Sequence, residues 1–282
     1  MNRGYKIAAW SLVIVVTIVL MSLARKQQDE ALVKDPVVTI SAIDENIFLT
    51  ETELLARLRV KRLMYAGQHI GDLKTTEIEA YIKTMHEVQN VDVFRRMGGE
   101  WAISIRLRRP ISRVFNNRGE SFYLDEEGST MAPSPNFTAR VLIFSGNISD
   151  RDDTLTVNEI INNDSLKSIR LLDDIYRISD YVCHDPFLQA QISQVYRSSG
   201  GDFVLVPQVG DHRIIFGTAN TDLEVKEKLD KLKIFYKEGL PYEGWNKYES
   251  INLKFRNQIV CKKKKTEMSG LSDELEEVHQ LP

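Results

Sequence analysis

The sequence predicts an α+β protein: a single N-terminal transmembrane helix, a small β-α-α-β-β domain, and a larger mixed β domain with an antiparallel sheet and covering helices. Three observations carry this reading: an 18-residue run without charge near the amino end, capped helical segments followed by alternating strands before residue 110, and closely spaced short strands with Gly turns after it. At 43% hydrophobic and 27% charged, with 15 Gly and 8 Pro among 282 residues, the composition excludes collagen-like, mucin-like and disordered chains. That length suits about two domains of roughly 150 residues. With 37 basic against 40 acidic residues, a net charge of −3 leaves no surplus for a phosphate backbone, so no nucleic-acid partner is implied.

The apolar run Ile7–Ala24, flanked by Arg3 and Lys6 before and Arg25 and Lys26 after, is long enough for one bilayer crossing. Ile7, Trp10, Leu12, Val13, Ile14, Val15, Val16, Ile18, Val19, Leu20 and Leu23 are its anchoring side chains. A secretory signal peptide competes, because Ser22-Leu23-Ala24 has the small-x-small form of a cleavage site. The run exceeds the usual apolar core of about 7–15 residues and a basic pair follows the putative cut, so it reads as an uncleaved anchor. Basic residues on both sides barely choose an orientation. No lipobox cysteine follows the run, and no second apolar stretch of spanning length occurs downstream. The expected organisation is a cytoplasmic tail over 1–6, the span over 7–24, a polar juxtamembrane linker over 25–36, a first domain over 37–109, a β domain over 110–261 and a charged, disordered tail over 262–282.

In the first domain, Pro36 introduces the strand candidate Val37–Ile40. Thr50 with Glu53 and Thr76 with Glu79 have capping-box spacing and predict two helices, the second carrying Ile78, Ile82 and Met85 on one face. Val91–Phe94 and Trp101–Leu107 form a hairpin about Gly98-Gly99, with Trp101, Ile103, Ile105 and Leu107 on one face and Ser104, Arg106 and Arg108 on the other. In the second domain, Ile111–Phe115 and Ser121–Asp125 are joined by Asn116-Asn117-Arg118-Gly119, and Glu126-Glu127-Gly128 makes the next turn. Val141–Phe144 is a buried strand. Between Asp150 and Pro186 a helical pattern places Leu166, Ile169, Leu172, Ile175, Tyr176 and Ile178 toward the sheet. Strands over Gln191–Tyr196, Phe203–Pro207 and His212–Phe216, a helix over Asn220–Lys237 and a final strand over Glu249–Val260 complete it. In that final strand Ile251, Leu253, Phe255 and Ile259 face the core.

No GxGxxG, P-loop, GxSxG or HExxH sequence occurs, and Cys183 and Cys261 lack metal-ligand spacing, so no enzyme, cofactor, metal site or small-molecule substrate is expected. The five histidines are scattered, and Asp125-Glu126-Glu127 reads as a charged turn rather than an acid/base pair. Asn136, Asn147 and Asn163 head Asn-x-Ser/Thr triplets that matter only in a secreted eukaryotic chain. The last strand ends in Cys261-Lys262-Lys263-Lys264-Lys265, as a sheet edge would. Such lysines either discourage aggregation or border a docking edge. For docking, Trp245, Tyr248, Ser250, Asn252, Lys254, Arg256 and Gln258 are the candidate partner-binding residues, with the two aromatics as anchors and Lys254 and Arg256 choosing acidic partners.

Arg109-Pro110-Ile111-Ser112-Arg113-Val114, Phe122-Tyr123-Leu124-Asp125-Glu126-Glu127-Gly128, His212–Gly217 and Ile251–Gln258, in this order, resemble the bacterial cell-division protein family FtsQ. The resemblance implies one amino-terminal span, a POTRA domain and a carboxy-terminal β domain. It also implies a non-catalytic scaffold of the divisome in the inner membrane at the septum, with the N-terminus cytoplasmic and the bulk periplasmic. Its expected partners are the small single-span proteins FtsB and FtsL, with septal synthases as further candidates, and FtsB would add a strand at the end of the β domain. A membrane-tethered, POTRA-type envelope chaperone or transport-associated peptide-binding module is the alternative function.

Overall fold

The computed structural model describes residues 3–42, 48–135, 137–152, 156–167 and 169–264. Asn136, His279, the side chain of Ile7 and the tail from residue 265 lie outside the described residues or side chains. The chain divides into two compact units, one of residues 1–109 with 132–139 and the other of 110–131 with 140–282.

The first unit opens with helix α1, Arg3–Asp29. Its 18 uncharged residues rise about 27 Å at 1.5 Å each, close to the roughly 30 Å of a bilayer's hydrocarbon core. From Trp10 to Leu23 its large apolar side chains are exposed, a surface that lipid would cover. Thr17 returns its hydroxyl to the Val13 carbonyl at 2.8 Å, which pairs this donor within the helix.

Behind α1 come β1 (Val37–Ser41), α2 (Glu51–Val60), a 3-10 turn (Ile70–Asp72), α3 (Thr75–Lys83), β2 (Val88–Arg95) and β3 (Trp101–Leu107). β3 is the central strand, parallel to β1 and antiparallel to β2. Trp101, Ile103, Ile105 and Leu107 all point into a core shared with Leu54, Leu58, Ile78 and Ile82 of the two helices. Only half of the first expected capping box forms. The Thr50 hydroxyl accepts from the Glu53 amide at 3.3 Å, but the Glu53 carboxylate takes Arg57 at 2.6 Å, and Arg57 also binds Glu87 at 2.6 Å. The second box does not form: α3 begins at Thr75 behind Lys74, so Thr76 is already helical and Met85 lies buried beyond the helix end.

The polar linker expected over 25–36 is sewn into this unit. Val33 donates to the Gln68 carbonyl and the Ile70 amide to Ala31, both at 2.8 Å. Lys34 donates to Gly99 at 3.1 Å, and the buried Trp101 indole donates to the Lys34 carbonyl at 2.8 Å. Gly99, at φ +77°, serves both the hairpin and this strap, because a Cβ there would lie 2.3 Å from the Leu32 carbonyl oxygen.

The second unit is a nine-stranded sheet in the order β12-β11-β10-β9-β8-β7-β4-β5-β6. Its strands are β4 (Pro110–Phe115), β5 (Ser121–Asp125), β6 (Thr130–Met131), β7 (Leu142–Gly146), β8 (Ile192–Arg197), β9 (Phe203–Pro207), β10 (Arg213–Gly217), β11 (Tyr248–Asn252) and β12 (Val260–Lys263). The sheet is mixed rather than antiparallel throughout: β4–β7, β7–β8 and β10–β11 are parallel. Parallel neighbours need a crossover: β5, β6 and residues 132–141 make it between β4 and β7, and helices make the other two. Between β7 and β8 lie α4 (Val157–Ile161), α5 (Asp164–Lys167), α6 (Leu172–Cys183) and α7 (Pro186–Gln191). The chain passes from β10 to β11 through α8 (Asp222–Ile234), a π-helical turn (Phe235–Gly239) and α9 (Leu240–Glu243).

The single helical pattern expected between Asp150 and Pro186 is thus three short helices, and α7 adds a further helix between Pro186 and Gln191, the residue at which the next strand is expected to begin. Thr156 and Glu159 cap α4 reciprocally. Buried Asp150 accepts from the Leu171 amide at 3.1 Å and from Arg170 at 2.8 Å, ending one helical stretch before α6 begins. Leu172, Ile175, Ile178 and Val182 of α6 and Val225, Leu229 and Leu232 of α8 join Phe144, Phe203 and Phe216 of the sheet in one core. Ile169, expected in that stripe, is 66% exposed because it falls in the break between helices. Asp125 is buried and accepts from the Glu127 and Ser129 amides at 3.0 and 2.7 Å, so the acidic trio builds a turn.

Two outcomes test this packing in the full chain. Gly99→Ala should cost about 2 kcal/mol or more in thermal melting, whereas Gly98→Ala, with open space beside it, should cost about 1 kcal/mol for its positive φ alone. In α6, Arg177 binds Asp173 and Asp174 at 3.0 and 2.9 Å, yet burial and the neighbouring Asp173 carboxylate push Asp174 up to about 6 from 3.8. Between those values the folded chain keeps a proton that the unfolded chain loses, so Asp174 makes stability fall as pH rises through that window. The melting temperature of Asp174→Asn relative to the unsubstituted chain should therefore climb between about pH 4 and pH 6 and level off above.

Candidate functional site

The large sheet ends on one side in the two-residue β6 and on the other in β12. The single edge strand expected over Glu249–Val260 is in fact two: β11 lies between β10 and β12, and among the described residues no strand pairs with the outer side of β12. Leu253–Ile259 connects them as a loop. The apolar–polar alternation there fits a turn as well as a strand, and three contacts fix the turn. Asn252 Oδ1 accepts from the Lys254 amide at 3.0 Å. Lys231 Nζ of α8 donates to the Phe255 and Arg256 carbonyls at 2.6 and 3.0 Å. Lys254 pairs with Asp202 at 2.8 Å.

This displaces several candidate residues. Ser250 and Asn252 sit on an interior strand, opposite Lys262 and Val260. Lys254, Arg256 and Gln258 are exposed on the loop rather than on an edge strand. Phe255, expected to face the core, is 45% exposed. Tyr248 is buried with its ring 6.0 Å from Phe235 and its hydroxyl donating to Glu243 at 3.3 Å, so it supports the strand instead of offering a surface anchor. Trp245 keeps 37% of its surface exposed and stacks 5.6 Å from the Tyr236 ring. Beneath it, Tyr236 hydrogen-bonds His212 Nε2 at 2.7 Å within an aromatic group that includes Phe187. Burial pushes the Tyr236 phenol up to about 12 and the His212 imidazole down, so both stay neutral at ordinary pH.

The edge itself is formed by the Cys-Lys run that the sequence places at a sheet edge, rather than by the candidate partner-binding residues before it. The Lys264 amide donates to the Lys247 carbonyl at 3.0 Å, toward β11. Backbone groups of an extended strand alternate in direction, so Lys262 and Val260 also turn to β11, while Cys261 and Lys263 turn their N–H and C=O groups outward. The Lys262 side chain pairs with Glu249 at 2.8 Å and Lys264 with Asp211 at 3.2 Å. Cys261 packs against the core, and burial pushes its thiol up, keeping it protonated. What remains outward is a short, lysine-flanked row of backbone donors and acceptors. Such a row can bind an extended chain but carries out no covalent chemistry.

An apolar helix long enough to cross a membrane leads into α+β units, and the sheet of the larger ends in an edge strand of the kind to which extended chains add. Residues 109–262, more than half of the chain, match the family described as FtsQ/DivIB, C-terminal related, and the chain belongs to the FtsQ/DivIB family of non-enzymatic cell-division proteins. No curated protein matches it.

The alternation at β12 separates two neighbouring substitutions. Lys262→Pro removes a donor bonded to β11 and should cost roughly 1–3 kcal/mol, whereas Lys263→Pro removes an outward donor and should stay within about 0.5 kcal/mol in a thermal melt.

Proposed function

We propose that this chain is a non-catalytic, single-span scaffold of the bacterial divisome that captures small single-span partners of the FtsB and FtsL kind by strand addition at β12. The observation carrying the reading is the outward row of backbone groups at Cys261 and Lys263, on the open side of the β12 edge. Main-chain bonds to an added strand would supply affinity, and Lys263, with Lys254 and Arg256 on the adjoining loop, would favour an acidic partner. Trp245 flanks the start of β11 as a half-exposed aromatic contact. In this reading α1 places the N-terminus in the cytoplasm and both units in the periplasm at the septum, with the first unit acting as a POTRA-like module. The β-α-α-β-β order of β1, α2, α3, β2 and β3 supports that assignment.

Anchoring supplies the physical advantage. Two proteins tethered to one membrane meet at a raised effective concentration, so a four-residue edge can contribute without a large interface. In-cell crosslinking from a photoreactive residue at position 256, exposed on the loop that leads into β12, should capture a small single-span protein with a coiled-coil outer segment. Lys263→Pro should keep its abundance yet lose most capture and lengthen cells by delaying division. Capture of many unrelated unfolded envelope polypeptides would favour a tethered chaperone, and unchanged capture in Lys263→Pro would overturn strand addition.

A further inference from the structure

A cluster outside the sheet edge carries a separate inference, independent of the division reading. At the C-terminal end of α6, Asp180, Cys183 and His184 bring a carboxylate oxygen, Sγ and Nδ1 all within 4.8 Å of one another. Cys183 Sγ lies 3.3 Å from His184 Nδ1, and that nitrogen lies 3.4 Å from Asp180 Oδ1. In a tetrahedral zinc site with Zn–S about 2.3 Å and Zn–N or Zn–O about 2.0–2.2 Å, neighbouring donor atoms stand about 3.3–3.6 Å apart. Two of the three edges already have that length.

The surroundings favour a cation. The last carbonyls of α6 point toward this end of the helix, where its dipole is negative. The Asp180 carbonyl oxygen itself lies 3.2 Å from Cys183 Sγ and 2.8 Å from His184 Nδ1. The charged groups acting on Asp180 besides His184 are Asp222 and Glu126, both acidic. Lys233, across on α8, is committed to Asp185 and Asp230 at 2.9 and 2.8 Å. The junction is also held in place: Gln189 donates to the Cys183 carbonyl at 3.0 Å, and Asp185 caps α7 through the Phe187 and Leu188 amides, both at 3.0 Å. A thiolate, an imidazole and a carboxylate together suit a borderline-soft ion better than Mg2+ or Ca2+.

We propose that Asp180, Cys183 and His184 form a mononuclear Zn2+ site that clamps the α6–α7 junction and leaves a fourth coordination position facing solvent. The spacing Asp-x-x-Cys-His escapes a search for paired cysteines because only one ligand is a thiol. Binding replaces the Cys183 thiol proton by the metal and releases that proton to solvent, with no change in oxidation state.

The test uses the full chain in detergent under a phosphine reductant, titrated with Co2+ as the spectroscopic probe. One Co2+ per chain should bind with a thiolate-to-cobalt charge-transfer band that stoichiometric Zn2+ abolishes. Cys183→Ser and His184→Ala should each remove the band, Asp180→Asn should weaken binding at least about tenfold, and Cys261→Ser should leave it intact. Unchanged far-ultraviolet circular dichroism would show that these surface variants fold. No thiolate band in the unsubstituted chain, a band that survives Cys183→Ser, or binding indifferent to both His184→Ala and Asp180→Asn would overturn the site.

Discussion

Backbone pairing in the nine-stranded sheet is the constraint on which the second unit depends. Each interior strand satisfies its amides and carbonyls on both sides, and the connections follow from the direction in which each neighbour runs. Where neighbours are parallel the chain must travel back; for β7–β8 and β10–β11 helical crossovers make that return while burying their apolar faces on the sheet, and for β4–β7 the β5–β6 excursion makes it. Among the described residues the sheet ends at β12, a strand of four residues, beside charged side chains that are themselves mostly paired. Edge lysines discourage indiscriminate self-association, and the same geometry admits a chosen strand.

The same rule explains the juxtamembrane segment of the first unit. A polar stretch leaving a membrane helix could be a loose tether, but Ala31–Lys34 finds backbone partners at Gln68, Ile70 and Gly99 and a side-chain donor in Trp101. These bonds join the helix end to the domain core, since Trp101 also lies at the centre of the apolar cluster. The membrane helix and the first unit are therefore connected through ordered backbone, which limits the orientations that unit adopts relative to its own anchor.

The legible parts of the sequence were those with a local physical cause. The apolar run, the Gly98-Gly99 hairpin, the alternating face of β3 and the turns at Asn116–Gly119 and Glu126–Gly128 each followed from hydropathy period or turn chemistry and stand where expected. Errors arose where distant partners decided. Glu53 gave up its cap for Arg57, which Glu87 holds from thirty residues away, and Asp150 broke a continuous helical pattern from twenty residues away. Parallel pairing left no mark in the strand sequences. At the candidate site, alternation across Glu249–Val260 concealed a hairpin whose loop is pinned by Lys231, a residue remote in sequence. The lysine run did point to the edge, but which lysine turns its backbone outward depends on register, which no single strand encodes.

The family assignment defines a non-enzymatic division role, and the proposed mechanism asks only that a tethered edge accept a tethered strand. Its central claim concerns two backbone amides. Residue-resolved amide hydrogen exchange on the full chain in micelles tests it directly, without a partner and with one obtained by crosslinking. In the unpartnered chain, Cys261 and Lys263 should exchange quickly while Lys262 and Lys264 are protected, and binding should slow Cys261 and Lys263 selectively. Equal protection along β12 before binding, or no change at Cys261 and Lys263 after it, would contradict the account.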